Sequence, residues 1–323
     1  MSIYSTWQRL MKTISWLFKN KISFGLLSQK IFSLCNLKYN NFLTLIYLAG
    51  AKMNNTSSGQ YPLFDICINL DNVQFDIDRA DILERASNHG VTHLSMTGSS
   101  LKSSRFAIEW AEKNPNRFCT TAGIHPHDAQ SATPAVMEEI EKLLHHPLVR
   151  AVGECGLDYN RNFSPKEAQL SCFKAHIELS EKHQLPLFLH QRDAHDDFLD
   201  CLSSSTQRAV VHCFTDTKEA LFSYLDRGWY IGITGWICDP KRGASLRDIV
   251  QHIPLNRIMV ETDAPWLFPK DIRPKPKKRR NEPMYLPHIV DVIAQCMNHS
   301  IQEVKHHSFV NSCSFFGMRE PQK

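Results

Sequence analysis

The feature that most constrains this fold is a set of short apolar runs, each ending on a side chain able to bind a metal. The run VRAVGECGLDY, residues 149–159, has the length and glycine boundary of a buried strand, and it places Glu154 directly after Gly153. A buried carboxylate without a charged partner is costly, so Glu154 should point into a polar pocket or onto a metal. Three further runs repeat the arrangement: Pro186–Arg192 with His190, Ala209–Phe214 with His212, and Ile258–Pro265 with Glu261 and Asp263.

Apolar runs alternate with longer amphipathic segments from Phe64 onward. Eight strand-then-helix units in roughly 250 residues are typical of an α/β fold of the (β/α)8 TIM-barrel type, in which all strand carboxyl ends meet on one face. A doubly wound sheet is the main alternative, but it would not explain ligand-type residues at so many strand ends. The predicted strands are Phe64–Leu70, Thr92–Gly98, Phe118–His125, Val149–Gly156, Pro186–Arg192, Ala209–Phe214, Tyr230–Gly235 and Ile258–Pro265, and the predicted helices are 77–89, 103–114, 134–146, 165–183, 194–204, 217–227, 241–251 and 283–298.

Residues 1–60 differ in composition from the rest of the chain. They carry seven Lys or Arg residues and no Asp or Glu, and all 16 histidines follow them. We interpret them as a basic leader, either a targeting peptide or the product of an upstream start site, with Met53 as the true start. Residues 61–318 contain no linker or repeat and are predicted to form one barrel domain, with 319–323 as a tail.

Charge and cysteine content limit the function classes. Residues 61–323 hold 30 of the 37 basic residues against all 33 acidic ones, so the predicted domain lacks the broad basic face of a dedicated nucleic-acid-binding module. Ten scattered cysteines without a C-x-x-C pair favour a reducing compartment. The apolar stretch Phe42–Ala51 is too short to span a bilayer. We therefore predict a cytoplasmic protein without a membrane partner. A monomeric state is a separate prediction.

The strand ends together predict a divalent-metal centre. Glu154, His190, His212 and Asp263 combine two imidazoles and two carboxylates on rigid strands, a donor set that suits Zn²⁺, Mn²⁺ or Mg²⁺. Such an ion lowers the pKa of a bound water to roughly 7, and Asp263 is placed to accept the proton. A single histidine at a strand end is commonly structural, but coincidence would have to act at four strand ends.

Other histidines and cysteines are left outside the predicted centre. Thiolates favour closed structural metal sites, so cysteines near the strand ends are predicted to line the core: Cys67, Cys155 and Cys213. Histidines without the strand-end context are predicted to be solvated: His127, His145, His146, His306 and His307.

Longer stretches make the chain resemble the TatD family of metal-dependent deoxyribonucleases. They are GECGLDYNRNFSPKEAQ, FLHQRDAHDDF, VVHCFTDTKEA, YIGITGWICDPKRG, ETDAPWLFPKD and the RRNEP at 279–283. The resemblance runs from Phe64 to about Gly317 and implies a barrel of the metal-dependent hydrolase type that cleaves phosphodiester bonds. For members opening with DIGVNL it implies a Mg²⁺-dependent 3′–5′ exonuclease on single-stranded DNA, with RNA as a further candidate substrate, in DNA repair or degradation.

The resemblance also implies a role for each matching residue. Glu154, His190 and His212 would be metal ligands, and Asp263 would be a ligand or the base. Glu154 and Asp263 are thus the predicted catalytic residues. His125, in the G-x-H-P motif, would contact the scissile phosphate. Mg²⁺ is the expected ion, with Mn²⁺ or Zn²⁺ as alternatives.

The first strand departs from the broader family. Many relatives open with D-x-H-x-H, and this chain has Cys67 and Asn69 at the two histidine positions. Asn69 matches the DIGVNL branch and is predicted to bind substrate, whereas Cys67 stands where that branch has glycine. Without those imidazoles we expect one firmly held cation and a second recruited by the substrate phosphate.

A basic run, Lys270–Arg280, follows the last predicted strand directly. Seven of its eleven residues are basic, and its place beside the strand ends favours a phosphate clamp, with Lys277 and Lys278 binding substrate. A nuclear localisation signal and a solvated loop are the alternatives. Trp236 and Trp266 follow the last two strands, where they would either stack on bases or belong to the core.

Two other functions remain open from the residues alone. An amidohydrolase acting on a small amide or lactone would use the same strand-end chemistry, and the basic run argues against it. A non-catalytic nucleic-acid-binding relative would explain the missing imidazoles, but the four strand-end ligands argue against it.

Overall fold

A computed structural model describes residues 61–319, so the predictions for the leader and for most of the tail concern residues outside the described part. All adjacent strands pair in parallel, in the order β1 to β8. A bridge between Ile68 and Ala264 connects β1 to the segment after β8 and closes the barrel. The strands are β1 Leu63–Ile68, β2 Val91–Met96, β3 Phe118–Ala122, β4 Val149–Asp158, β5 Leu187–Arg192, β6 Ala209–Val211, β7 Tyr230–Ile233 and β8 Ile258–Val260.

Helices alternate with the strands, and the predicted (β/α)8 barrel is confirmed. The α-helices are α1 Arg79–Asn88, α2 Leu101–Ala111, α3 Pro134–Leu144, α4 Lys166–His183, α5 His195–Cys201, α6 Lys218–Asp226, α7 Ala244–Val250, α8 Leu286–Met297 and α9 Ile301–Phe316. Short 3₁₀ segments occupy Val73–Phe75, Pro126–Ser131, Gly235–Cys238, Leu255–Arg257 and Pro283–Tyr285. Within residues 61–319, no helix combines the length and apolar character needed to cross a membrane.

Several strands end earlier than their apolar patterns predict. Cys213 and Asp263 have φ angles of 49° and 54°, in the left-handed region that regular strand pairing does not use. The chain therefore leaves the ladder before these residues, at Val211 in β6 and at Val260 in β8. The shorter β6 and β8 place His212, Glu261 and Asp263 on turns at the barrel mouth, whereas Glu154 and His190 stay within β4 and β5.

Helix α9 was not predicted. It buries Phe309 and Phe316 but also polar residues such as Lys305 and Asn311, so its sequence shows little of the one-sided pattern of a surface helix. The Asn311 amide donates to the carbonyl of Ile258 at the start of β8. Helix α9 therefore covers the amino-terminal end of the barrel, opposite the strand tips that carry the ligand-type residues.

Candidate active site

Two glycines in β4 shape the backbone around Glu154. Gly153 and Gly156 have φ angles of 137° and 143°, where a side chain would be strained. A Cβ at either position would also collide with a carbonyl oxygen of β5, that of Phe188 or of His190. The motif G-E-C-G is therefore required for β4 to lie close to β5 while Glu154 projects into the barrel mouth.

Three imidazoles converge on one carboxylate oxygen. Glu154 Oε1 lies 3.2 Å from His125 Nε2, 3.2 Å from His190 Nδ1 and 2.8 Å from His212 Nε2. Glu154 itself is only 5% exposed. Burial alone would raise the pKa of its carboxyl, but the charges of His125 and His212 and hydrogen bonds from the imidazoles hold it well below its usual value. Glu154 is therefore a buried anion.

Two of these imidazoles each lie between two carboxylates. His190 Nε2 is 3.4 Å from Asp158 Oδ2, and His212 Nδ1 is 3.4 Å from Glu261 Oε2. Burial opposes a charge on either ring, yet hydrogen bonds to Asp158 and Glu154 raise the pKa of His190. The charges of Glu154 and Glu261 raise the pKa of His212 well above its ordinary value. The protonated, positively charged forms of His190 and His212 are therefore favoured beside Glu154.

The donor atoms fall into two compact groups. In one, His125, Glu154 and His190 offer atoms within 4.8 Å of one another, and in the other, Cys67, His212 and Glu261 do the same. Glu261 is fully buried, and its Oε1 accepts the backbone N–H of Cys213 at 2.5 Å. The contact between His212 and Glu154 joins the two groups.

Asp263 lies at the edge of the second group. Its Oδ1 accepts the Asn69 amide at 2.9 Å and lies 3.5 Å from the thiol sulfur of Cys67. Cys67 in turn accepts the Thr97 hydroxyl at 3.1 Å, so its side chain faces the centre as well as the core. Burial, opposed by the charge of His212, raises the pKa of Asp263 to about 7. A carboxyl with this pKa exchanges protons near neutral pH.

His127 is not solvated as predicted. Its Nε2 lies 2.8 Å from Asp158 Oδ2, the oxygen that also faces His190, and its ring centroid is 4.2 Å from that of His125. Sequence reasoning missed Asp158 as well. Glu154, Gly156 and Asp158 alternate along β4, so the period of two already placed Asp158 on the same face as Glu154.

The donor set fits a divalent cation. Around Glu154 are the buried carboxyls of Glu261 and Asp65 and the half-buried carboxyl of Asp263, and burial raises the pKa of Asp65 to about 7 despite two hydrogen bonds from Thr262. Both ring nitrogens of His190 and of His212 face carboxylates. A cation bound between these rings and Glu154 would replace the protons that the imidazoles hold there. Imidazole and carboxylate together suit Zn²⁺ or Mn²⁺, and carboxylate oxygen suits Mg²⁺.

The structure thus brings together Glu154, His190, His212 and His125, and it places Asp263 and Asn69 beside them. Lys277 and Lys278 are exposed on the segment after β8, and no contact found within residues 61–319 connects them to Glu154. Glu261 joins the site although the sequence analysis assigns it no role, because the sequence does not show how the chain turns after β8.

The basic run divides into structural and exposed residues. Arg280 donates to both oxygens of Asp78, to Glu282 Oε1 and to the carbonyl of Gln74, and so fastens the end of the run to the barrel. Lys270 pairs with Asp239 at 2.7 Å. Lys277, Lys278 and Arg279 are exposed.

Trp236 and Trp266 differ in their surroundings. Trp236 is half-buried, with the Arg242 guanidinium 4.2 Å from its ring centroid, and Trp266 is 50% exposed. Neither is part of the buried core, and the exposed ring of Trp266 is available to a ligand.

Comparison with known proteins gives one consistent result. Residues 64–317 match the model of the family described as TatD related DNase. A protein named 3′-5′ ssDNA/RNA exonuclease TatD, from Erwinia amylovora, is 43% identical over 259 residues, which cover 79% of this chain and 100% of that protein. The protein of the same name from Salmonella typhimurium is 45% identical over 235 residues, 72% of this chain and 90% of that protein.

Solved structures share the fold. A hydrolase TatD family protein from Entamoeba histolytica superposes with a TM-score of 0.72 at 28% identity, covering 79% of this chain and 98% of that chain. A TatD homolog from Escherichia coli, at 23% identity and a TM-score of 0.71, shares the fold and covers 80% of this chain and 98% of its own. The resemblance inferred from the motifs is confirmed, and the chain belongs to the TatD related DNase family.

Proposed function

We propose that this protein is a metal-dependent 3′–5′ exonuclease that hydrolyses phosphodiester bonds in single-stranded DNA and RNA. The observation that carries the proposal is the convergence of His125, His190 and His212 on one oxygen of the buried Glu154, at the mouth of a TatD-type barrel. The relatives named 3′-5′ ssDNA/RNA exonuclease TatD support the polarity and the substrate class.

Glu154, His190, His212 and Asp263 are the proposed ligands of a divalent cation. Mg²⁺ is the expected ion, with Mn²⁺ or Zn²⁺ as alternatives, and Glu261 is a further candidate ligand because its donor atom groups with that of His212. When bound, such an ion lowers the pKa of water and offsets the charge on the phosphoryl oxygens.

The surrounding residues hold and move protons. Asp263, with its Oδ1 oriented by Asn69, is proposed to accept the proton of the attacking water. His125 Nδ1 accepts the backbone N–H of His127, so Nε2 carries a proton, which faces Glu154 Oε1 at 3.2 Å. This N–H is proposed to donate to an oxygen of the scissile phosphate once a cation occupies Glu154.

The exposed lysines are proposed to bind the polymer. Residues 61–323 have fewer basic than acidic side chains, so a polyanion needs local cations near the site. Lys277 and Lys278 lie on the segment that leads from β8 to the anchor at Arg280. Mg²⁺ as the ion, a role in DNA repair or degradation, a monomeric state and a cytoplasmic location stay predictions.

Digestion of end-labelled oligonucleotides tests the proposal. The full chain is incubated with single-stranded DNA, RNA or duplex DNA, labelled at the 5′ or the 3′ end, in Mg²⁺, Mn²⁺, Zn²⁺ or chelator. We expect a ladder of shortened 5′-labelled strands with metal and none with chelator. Parallel assays on small amides and lactones test the amidohydrolase alternative. Turnover of those compounds without cleavage of any oligonucleotide would contradict the exonuclease proposal.

A further inference from the structure

Phe163 is an aromatic side chain left in solvent beside the active site. It is 65% exposed, although burying a side chain of its kind contributes roughly 1.5–3 kcal/mol. Within residues 61–319, most of the strongly exposed large apolar side chains follow β1, β4 or β8 on the face that holds the site: Val73, Ile77, Phe163 and Trp266. Exposed apolar side chains on the face that carries the catalytic residues are suited to binding a ligand.

Phe163 contacts the active site through His127. The two ring centroids are 4.8 Å apart with an interplanar angle of 70°, the geometry of an edge-to-face aromatic pair. His127 is 4.2 Å from His125 by the same measure, and both His127 and His190 face Asp158. One imidazole therefore separates the exposed phenyl ring from the residues around Glu154.

The loop that carries Phe163 is held firmly. Asp158 Oδ1 accepts the backbone N–H groups of Asn160 and Arg161 at 3.0 and 2.8 Å. On the other side, the buried hydroxyl of Ser164 donates to the carbonyl of His127 at 2.8 Å, and Gln169 donates to the carbonyl of Ser164 at 2.9 Å. The exposure of Phe163 is thus imposed by an ordered backbone on both sides of it.

We propose that Phe163 is the stacking platform for the nucleobase next to the scissile phosphate. This inference rests on the proposed nuclease function and specifies how its substrate is held. A base presents an apolar π face whatever its sequence, and stacking on an aromatic side chain is tolerant of sequence. Arg161, exposed two residues earlier, lies on the same loop and offers a cation to the backbone phosphate. Bases in a duplex already stack on both faces, so this platform selects an unpaired strand.

Binding of abasic oligonucleotides isolates the stacking interaction. Fluorescent single-stranded DNA, intact or with one abasic residue at the 3′-terminal or penultimate position, is titrated with the full chain in chelator, where turnover cannot occur. We expect Phe163→Ala to weaken binding of the intact strand by roughly 5- to 150-fold. The same substitution should weaken binding far less for the abasic strand that already lacks the stacked base. Phe163→Trp should retain tight binding of the intact strand.

A matched control removes an exposed phenylalanine elsewhere. Phe222 is 42% exposed on α6, where it pairs with His252 on an outer segment, and Phe222→Ala should bind every strand as the wild type does. With metal present, Phe163→Ala should raise KM while kcat changes little, because the stacked base is held equally in substrate and transition state.

The outcomes separate this inference from the proposed function. If Phe163→Ala binds the intact strand as the wild type does, or neither abasic position weakens wild-type binding, Phe163 is not the platform even when cleavage is normal. If no metal supports cleavage but binding depends on Phe163 and on the base, the exonuclease proposal fails and the base-binding site stands.

Discussion

Glu154→Gln is the most direct test of the active site. The substitution exchanges one oxygen of a buried carboxylate for an amide nitrogen and changes the volume little. It removes the negative charge to which His125, His190 and His212 are directed. Because Glu154 is one of the two charges that raise the pKa of His212, the pKa of that ring should also fall.

The size of the effect follows from the loss of one anionic ligand. Replacing a residue that only orients a metal ligand already costs roughly 10- to 100-fold in metal affinity. Loss of a charged ligand itself should therefore cost at least roughly 100-fold. We expect Mn²⁺ affinity to fall by at least this factor and hydrolysis of single-stranded DNA to become undetectable, while the fold is retained.

Calorimetric titration with Mn²⁺ measures the affinity, digestion of end-labelled oligonucleotides measures turnover, and circular dichroism checks the fold. Glu112→Gln is the matched control, because Glu112 also faces an imidazole, His146 Nε2 at 3.2 Å, but lies on the surface. It should leave affinity and turnover unchanged. Wild-type Mn²⁺ affinity and turnover in a folded Glu154→Gln variant would refute the role assigned to this carboxylate.

Three other parts of the chain give further predictions. Replacing Lys277 and Lys278 by alanine should raise KM for single-stranded DNA with kcat little changed, and it should lower the log–log salt slope by up to roughly 0.7 for each phosphate that is no longer neutralised; an unchanged slope would make them a solvated part of the loop. His176 accepts the N–H of Ile124, and burial lowers its pKa to about 4 from an ordinary 6.5. The stability that depends on a neutral His176 is therefore fully present above pH 6.5. Between pH 6.5 and about 4 only the unfolded state takes up a proton, so the free energy of unfolding declines, by about 3 kcal/mol in all. In urea titrations from pH 7 to 4.5, His176→Gln should flatten this decline, and an equal decline in both proteins would contradict it. A chain that starts at Met53 should keep full nuclease activity, and its inactivity beside an active full chain would assign the leader a role.

The sequence by itself determined the barrel. Alternation of apolar runs with amphipathic segments is a local property, and it located eight strands and the eight helices that follow them. It also placed Glu154, His190 and His212 at strand ends, because the carboxyl ends of parallel strands must share one face. Longer-range packing was not needed for either inference. The charge on Lys270–Arg280 was equally visible, although its division into an anchor and an exposed part was not.

Only the tertiary structure decided which donors meet. The left-handed turn at Asp263 directs its carboxylate to Asn69 and Cys67, while Glu261 lies against His212, an outcome that depends on how the chain leaves β8. Helix α9 was missed because burial around most of its circumference removes the one-sided pattern by which a surface helix is recognised. His127 looked solvated in sequence because Asp158, its partner, is 31 residues away along the chain. Side-chain direction and contacts between distant segments are set by packing, and a local pattern of residues does not carry that information.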